Sequence, residues 1–134
     1  MIEVYTDGAA SGDPGPSSAG IYIKKGKEHF EFAYPLGTTS NHQAEFLAVI
    51  KALEICAEYF PGEILSFRSD SKIVVETIEK NFTKNEAFLP LLNEINAYKE
   101  NFAYVFFKWI PEKQNGKADK LARQALKNSK KDSM

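Results

Sequence analysis

The order of strand-like and helix-like patterns along the chain is the feature that most constrains its fold. Short runs rich in β-forming residues are followed by longer runs whose apolar residues recur at helical spacing. The predicted strands cover residues 2–7, 19–24, 28–36, 64–69 and 103–109, and the predicted helices begin near residues 40, 71, 88 and 117. Three strands precede the first helix, and helices separate the later strands. We therefore expect an α/β fold with a five-stranded mixed sheet, in which three antiparallel strands are followed by two parallel ones, flanked by helices.

Three local patterns add detail to this expectation. Residues 8–18 contain three glycines and two prolines, which predicts a long turn between the first two strands. Ser40, followed three residues later by Gln43, is typical of a capping box at the start of a long helix. The run at 103–109, which is apolar except for Lys108, predicts a strand that is buried within the sheet.

Length, cysteine content and charge narrow the class of protein. The 134 residues predict one domain at 1–128 followed by a flexible tail at 129–134. Cys56 is the only cysteine, which excludes an intrachain disulfide and a cysteine-based zinc cluster. The chain opens without a signal-like leader and has no run long enough to cross a bilayer, so we expect a cytoplasmic protein without a membrane partner. The formal net charge of −1 excludes a globally basic nucleic-acid binder, although residues 113–131 are locally basic.

Four acidic residues fall where the predicted topology can bring them together. Asp7 and Asp70 each end a predicted strand, and parallel neighbouring strands would present both carboxylates at one edge of the sheet. Glu45 and Asp119 lie near the starts of two predicted helices, where the helix dipole is an equally good explanation for an acid. Each position taken alone is more often a turn or a cap. Together they suggest a site for two hard divalent cations, of the kind that hydrolyses phosphodiesters.

Four segments of the chain resemble the motifs of the type 1 ribonuclease H family, and they occur in the order of that family. The segments are residues 7–16, 38–45, 69–71 and 115–123, and the resemblance extends from residue 2 to about residue 127. It implies an endonuclease that hydrolyses the RNA strand of RNA/DNA hybrids and leaves 5′-phosphate and 3′-hydroxyl ends. It also implies two bound metal ions, Mg²⁺ or Mn²⁺, as cofactors.

Carried over by position, the resemblance implies roles for individual residues. The catalytic and metal-binding acids would be Asp7, Glu45, Asp70 and Asp119, and the substrate-binding residues would be Gly8, Ser40, Asn41, His42, Ser71 and Asn115. The residues themselves leave alternatives open. Asn41 is equally explained as a helix cap, His42 as a solvent-exposed surface residue, and Asn115 as a residue that orients the last loop or caps the last helix.

The chain departs from the pattern of the family at two places. Residues 109–118 lack the histidine that many members carry before the last acid, and residues 81–86 are too few for the basic, aromatic protrusion of some members. The resemblance is therefore to a histidine-free variant without the protrusion. An alternative function follows from these departures: a catalytically weak or inactive relative that binds hybrid or structured nucleic acid. A DNA-acting enzyme of the wider superfamily is disfavoured by the Asn41 motif. We expect a monomer.

Overall fold

A single mixed sheet organises the part of the chain that the computed structural model describes, which is the backbone of residues 1–132 and the side chains of residues 1–128. Its five strands are β1 Ile2–Ala10, β2 Gly15–Lys25, β3 Glu28–Thr39, β4 Ile64–Ser69 and β5 Tyr104–Trp109. They lie in the order β3-β2-β1-β4-β5. β1 and β3 both pair antiparallel with β2, whereas β4 lies parallel to β1 and to β5. The predicted mixed sheet is confirmed.

Helices cover both faces of this sheet. Their bounds are α1 Asn41–Tyr59, α2 Lys72–Lys80, α3 Leu89–Lys99 and α4 Gly116–Asp132, and a 3-10 turn at Glu112–Gln114 precedes α4. One face carries the main apolar core, in which α1, α2 and α3 pack on β1, β2 and β4. The other face carries α4, whose backbone lies against Gly20 of β2. None of the described helices is long and apolar enough to cross a membrane.

The start of α1 has the capping box that the sequence predicts. The Ser40 hydroxyl accepts a hydrogen bond from the Gln43 backbone N–H at 3.1 Å, and the Gln43 side chain accepts one from the Ser40 N–H at 3.0 Å. Nine of the nineteen residues of α1 are buried, so a broad face of the helix packs into the core. The cap therefore fixes where a heavily buried helix begins.

The long turn predicted at 8–18 is wrong. β1 continues to Ala10 and β2 begins at Gly15, so the turn between them covers only residues 11–14. Gly8 pairs with Ala19, and Ala10 pairs with Ser17, in the antiparallel ladder. Small side chains line both strands here because other parts of the chain approach them closely, and the same small residues gave the segment its loop-like composition.

The burial predicted for the strand at 103–109 is also wrong. β5 is an edge strand, and the exposed fractions of Tyr104 and Phe106 are 58% and 46%. Only the alternate residues Val105 and Phe107 pack against the core. An edge strand can leave one of its faces open to solvent, even when the side chains on that face are apolar. An apolar composition therefore does not show that a strand is buried.

The predicted tail at 129–134 lies outside the described side chains, and residues 133–134 lie outside the described backbone as well. The backbone of α4 is helical up to Asp132. The division into a domain at 1–128 and a tail stays a prediction.

The contact between β2 and α4 predicts a specific stability effect. A Cβ atom on Gly20 would lie 2.0 Å from the Ala118 carbonyl oxygen, so Gly20→Ala should cost roughly 2 kcal/mol or more by forcing α4 away from the sheet. Gly116→Ala is the matched control, because a Cβ there meets no atom within 4 Å and we expect a change within about 0.5 kcal/mol. Urea denaturation measures both free energies of unfolding. Equal values for the two variants would contradict the close packing of α4 on β2.

Candidate active site

The parallel pairing of β1 with β4 places two of the four acids at one edge of the sheet. Thr6 lies opposite Ser69 in the register, so Asp7 and Asp70 come next on adjacent strands. Glu45, in the second turn of α1, reaches the same edge. One carboxylate oxygen from each of Asp7, Glu45 and Asp70 lies within 4.8 Å of the other two. Three side chains that are far apart in sequence therefore form one carboxylate cluster.

Gly8 allows α1 to approach this cluster. A Cβ atom on Gly8 would lie 2.3 Å from the carbonyl carbon of Ala44, which is closer than any side chain tolerates. The Gly8 backbone N–H also donates a hydrogen bond to the Glu45 carboxylate. The glycine at position 8 is therefore explained by the close packing of α1 and by the hydrogen bond that orients the Glu45 carboxylate.

Asp119 lies beside the cluster without joining it. Its side chain lines the same cavity as Asp7 and Asp70, a space of about 470 Å³. The Asp119 carboxylate accepts from the Arg123 Nε atom, with distances of 3.1 Å to Oδ1 and 3.0 Å to Oδ2. This ion pair one helical turn along α4 turns the fourth acid toward Arg123. Arg123 was not predicted as a site residue, although its spacing of four residues from Asp119 is typical of an ion pair on one helix face.

The loop before α4 is fastened to β1 by Asn115. The Asn115 side chain is 1% exposed, and its amide nitrogen donates to the Thr6 carbonyl oxygen at 2.8 Å. This geometry matches the alternative in which Asn115 orients the loop, and it gives no support to a direct substrate contact. Glu112, which the sequence analysis did not assign to the site, lines the cavity with Asp70 and Asp119. An acid in the loop that leads to Asp119 was the available signal.

A second cavity, of about 650 Å³, adjoins the carboxylate cluster between the starts of α1 and α2. Four of the predicted substrate-binding residues line it, together with Glu45 and Lys72: Gly8, Asn41, His42 and Ser71. We call this cavity the groove. The side chains of Asn41 and His42 are exposed there, and the His42 ring meets Phe88 edge-to-face at 6.2 Å.

Two of the predicted substrate-binding serines are helix caps. Ser40 caps α1 and Ser71 caps α2, where its hydroxyl accepts from the Val74 N–H at 3.4 Å. Asn41 follows the cap residue of α1, so the capping alternative for Asn41 is wrong. The exposed amide of Asn41 is free to contact a ligand in the groove.

Burial and like charges raise the pKa values of the clustered acids. Desolvation, followed by the charges of Glu45 and Asp70, raises the pKa of Asp7 far above its ordinary value. Desolvation and the Asp70 charge raise the pKa of Glu45 to about 7, against the lowering effect of the Gly8 N–H. The pKa of Asp70 is also raised, first by desolvation and then by the charges of Glu112 and Asp119.

The donor set of the cluster fits a hard divalent cation. All of the clustered side chains are carboxylates, and oxygen ligands are those that Mg²⁺ and Mn²⁺ prefer. Their mutual repulsion is strong enough to raise pKa values, and a bound cation would cancel it. With a cation bound, the clustered carboxyl groups can therefore be ionised at neutral pH.

Comparison with known proteins gives one consistent family. Residues 1–127 match the ribonuclease H family. The chain is 44% identical over 127 residues to the putative hydrolase EbsB of Enterococcus faecalis, and the match covers 94% of each. It is 30% identical over 148 residues to the ribonuclease H of Syntrophomonas wolfei, covering 95% of this chain and 97% of that protein. The crystal structure of LC11-RNase H1 in complex with an RNA/DNA hybrid superposes with a TM-score of 0.90 at 28% identity, covering 96% of this chain and 99% of that one.

The raised pKa values predict how the metal-free protein responds to pH. The pKa of such a carboxyl group is about 4 in the unfolded chain and is higher in the folded chain. As the pH rises from the lower pKa to the higher one, the free energy of unfolding falls, because the unfolded chain loses its proton first. When a chelator keeps the protein free of metal, the free energy of unfolding should therefore fall as the pH rises from about 4 toward 7, which is the pKa of Glu45. Asp7→Asn should weaken this fall and should stabilise the metal-free protein at pH 7 by roughly 2 kcal/mol.

Thermal and urea denaturation at several pH values measure this effect. Glu58→Gln is the matched control, because it removes an exposed carboxylate at the far end of α1. Adding Mg²⁺ at pH 7 should stabilise the parent protein more than Asp7→Asn, since the ion binds the folded cluster. An Asp7→Asn effect that is the same at pH 4 and pH 7 would contradict the assigned repulsion.

Proposed function

The chain belongs to the ribonuclease H family and is a ribonuclease H enzyme, and we propose that it hydrolyses the RNA strand of RNA/DNA hybrids with two bound divalent cations. The observation that carries the proposal is the cluster of Asp7, Glu45 and Asp70, whose carboxylate oxygens lie within 4.8 Å of one another. Asp119 faces the same cavity from α4. These four acids would hold the two ions, Mg²⁺ or Mn²⁺.

The reaction is a hydrolysis at phosphorus. Two such cations, when bound, supply a nucleophilic water and stabilise the charge that develops on the phosphodiester. The water gives up a proton as its oxygen forms a bond to phosphorus, and the 3′ oxygen takes up a proton as its bond to phosphorus breaks. The products would therefore carry a 5′-phosphate and a 3′-hydroxyl.

Residues around the cluster would keep these acids in position. The Gly8 N–H holds the Glu45 carboxylate, and the Asn115 amide ties the loop before α4 to β1. Arg123 fixes the Asp119 carboxylate through its ion pair. Gly8 lies in β1, Arg123 lies in α4 and Asn115 immediately precedes α4, so the three contacts come from regular elements or from a residue next to one.

The groove supports RNA/DNA hybrid as the substrate. The exposed side chains of Asn41 and His42 line it next to Glu45. A polar surface of this kind can read the 2′-hydroxyls displayed in the minor groove of a hybrid, which distinguish RNA from DNA. The structurally similar LC11-RNase H1 has been crystallised with a hybrid. A monomer in the cytoplasm remains our prediction for this chain, and light scattering and cell fractionation would test it.

A cleavage assay tests the proposal. The protein is incubated with an end-labelled RNA/DNA hybrid, duplex DNA or duplex RNA, in Mg²⁺ or in Mn²⁺. We expect cleavage of the RNA strand of the hybrid alone, and fragments with 5′-phosphate and 3′-hydroxyl ends. Asp70→Asn should lower the rate by more than about 100-fold, because changes to mere partners of metal ligands already cost about 10- to 100-fold.

The control for this assay is Glu58→Gln, the same acid-to-amide change at an exposed position away from the site. It should keep the parent rate. Hybrid binding without cleavage in either metal would overturn the proposal in favour of the inactive binder. Cleavage of duplex DNA would favour a DNA-acting enzyme.

A further inference from the structure

We propose that Lys72 is a phosphate-binding residue of the groove, and that its ammonium group, positioned over the Trp109 ring, contacts one backbone phosphate of the bound hybrid. The proposal rests on the function proposed above and adds a contact to it. Lys72 is the first residue of α2, two positions after Asp70, and its side chain lines the groove beside Gly8, Asn41 and Glu45.

Positive charge is scarce around the carboxylates. Arg123 and Lys72 are the cations that line the two cavities described above. Arg123 is already paired with Asp119 at 3.0 Å. Lys72 has no carboxylate within ion-pair distance among the described side chains, although Glu76 lies one turn along the same helix. Lys72 is therefore the cation of this surface whose charge is available to a ligand.

Trp109 determines where that charge lies. The Lys72 Nζ atom is 5.0 Å from the centroid of the Trp109 ring, which is a cation–π contact. The indole N–H donates to the Asp70 carbonyl oxygen at 3.1 Å, and Trp109 pairs with Ser69 in the sheet. One ring thus contacts both the peptide that carries a clustered acid and the ammonium group. This places the ammonium group at a defined position on the rim of the groove.

The chemistry of the groove points to a phosphate. An ammonium group is a point charge with three N–H donors that suits phosphate oxygens, and a contact with the face of one ring leaves donors free for a phosphate. The clustered acids repel a polyanion, and the chain has a net charge of −1. A cation at the edge of the cluster would offset part of this repulsion where the backbone of the hybrid enters.

The salt dependence of binding tests this contact. Affinity for a hybrid is measured over a range of salt concentrations in an Asp70→Asn background, which separates binding from cleavage. Each phosphate contact adds nearly one unit to the slope of log affinity against log salt. Adding Lys72→Ala should make that slope less steep by about 0.9, so that a fourfold rise in salt weakens binding by the variant about 3.5-fold less than it weakens binding by the parent. Lys72→Arg should restore the slope, because it keeps the charge.

Lys80→Ala is the matched control. It removes the same charge from the last residue of α2, about 12 Å along the helix axis from Lys72, and Lys80 does not line the groove. We expect it to leave the slope unchanged. A slope that Lys72→Ala leaves at the parent value, or that Lys80→Ala lowers equally, would overturn the Lys72 contact.

A chemical change in the hybrid provides a second readout. A single neutral methylphosphonate is placed in turn at each position of the DNA strand and then of the RNA strand. At the contacted phosphate, the substitution should weaken the parent but not Lys72→Ala, and this position identifies the strand. If no position distinguishes the two proteins, the Lys72 contact is wrong, whereas the proposed cleavage of hybrid by the unmodified protein is unaffected. If the parent neither binds nor cleaves hybrid, the proposed function fails as well.

Discussion

The parallel pairing of β1 with β4 is the interaction on which the site depends. It places Thr6 opposite Ser69, so Asp7 and Asp70 follow at the same edge of the sheet. Antiparallel strands would send these two acids to opposite edges. The other parts of the site then converge on the end of β1. Gly8 admits the backbone of α1 and so brings Glu45 close, and the Thr6 carbonyl receives the amide of Asn115.

The carboxylate cluster works against folding while it is empty of cations, and the rest of the fold must compensate. Burial and repulsion raise the pKa values of Asp7, Glu45 and Asp70, which means that their ionised forms are disfavoured in the folded chain. The compensation comes from α1, whose buried residues join β1, β2 and β4 in one core. The helix that carries Glu45 into the cluster is thus also the helix that contributes most to the core. The stability of the core and the position of Glu45 in the cluster therefore depend on the same element.

The sequence predicted those parts of the fold that depend on local pattern. The order of strands and helices along the chain, the mixed sheet and the Ser40 cap follow from periodicity and spacing. The exposure of Tyr104 and Phe106 could not be predicted in this way, because an apolar strand has the same composition at the edge of a sheet as in its middle. The orientation of Asp119 toward Arg123 depends on rotamers, which spacing permits but does not determine. The close approach of α1 to Gly8 is a tertiary contact, which spacing along the chain does not reveal. In the sequence, Gly8 and the small residues after it have the composition of a turn.

The loop before α4 supplies negative charge to this site, and the cations come from helices. Glu112 lines the cavity from the loop, whereas Arg123 extends from α4 and Lys72 from the first turn of α2. A cation on a helix packed against the sheet has its backbone fixed relative to β1 and β4, and therefore relative to the acids that these strands present. Trp109 strengthens this arrangement, since its ring contacts Lys72 and its N–H bonds to the Asp70 carbonyl. The edge position of β5 is what leaves that ring partly exposed, at 40%. The strand at the margin of the sheet thereby becomes part of the rim of the site.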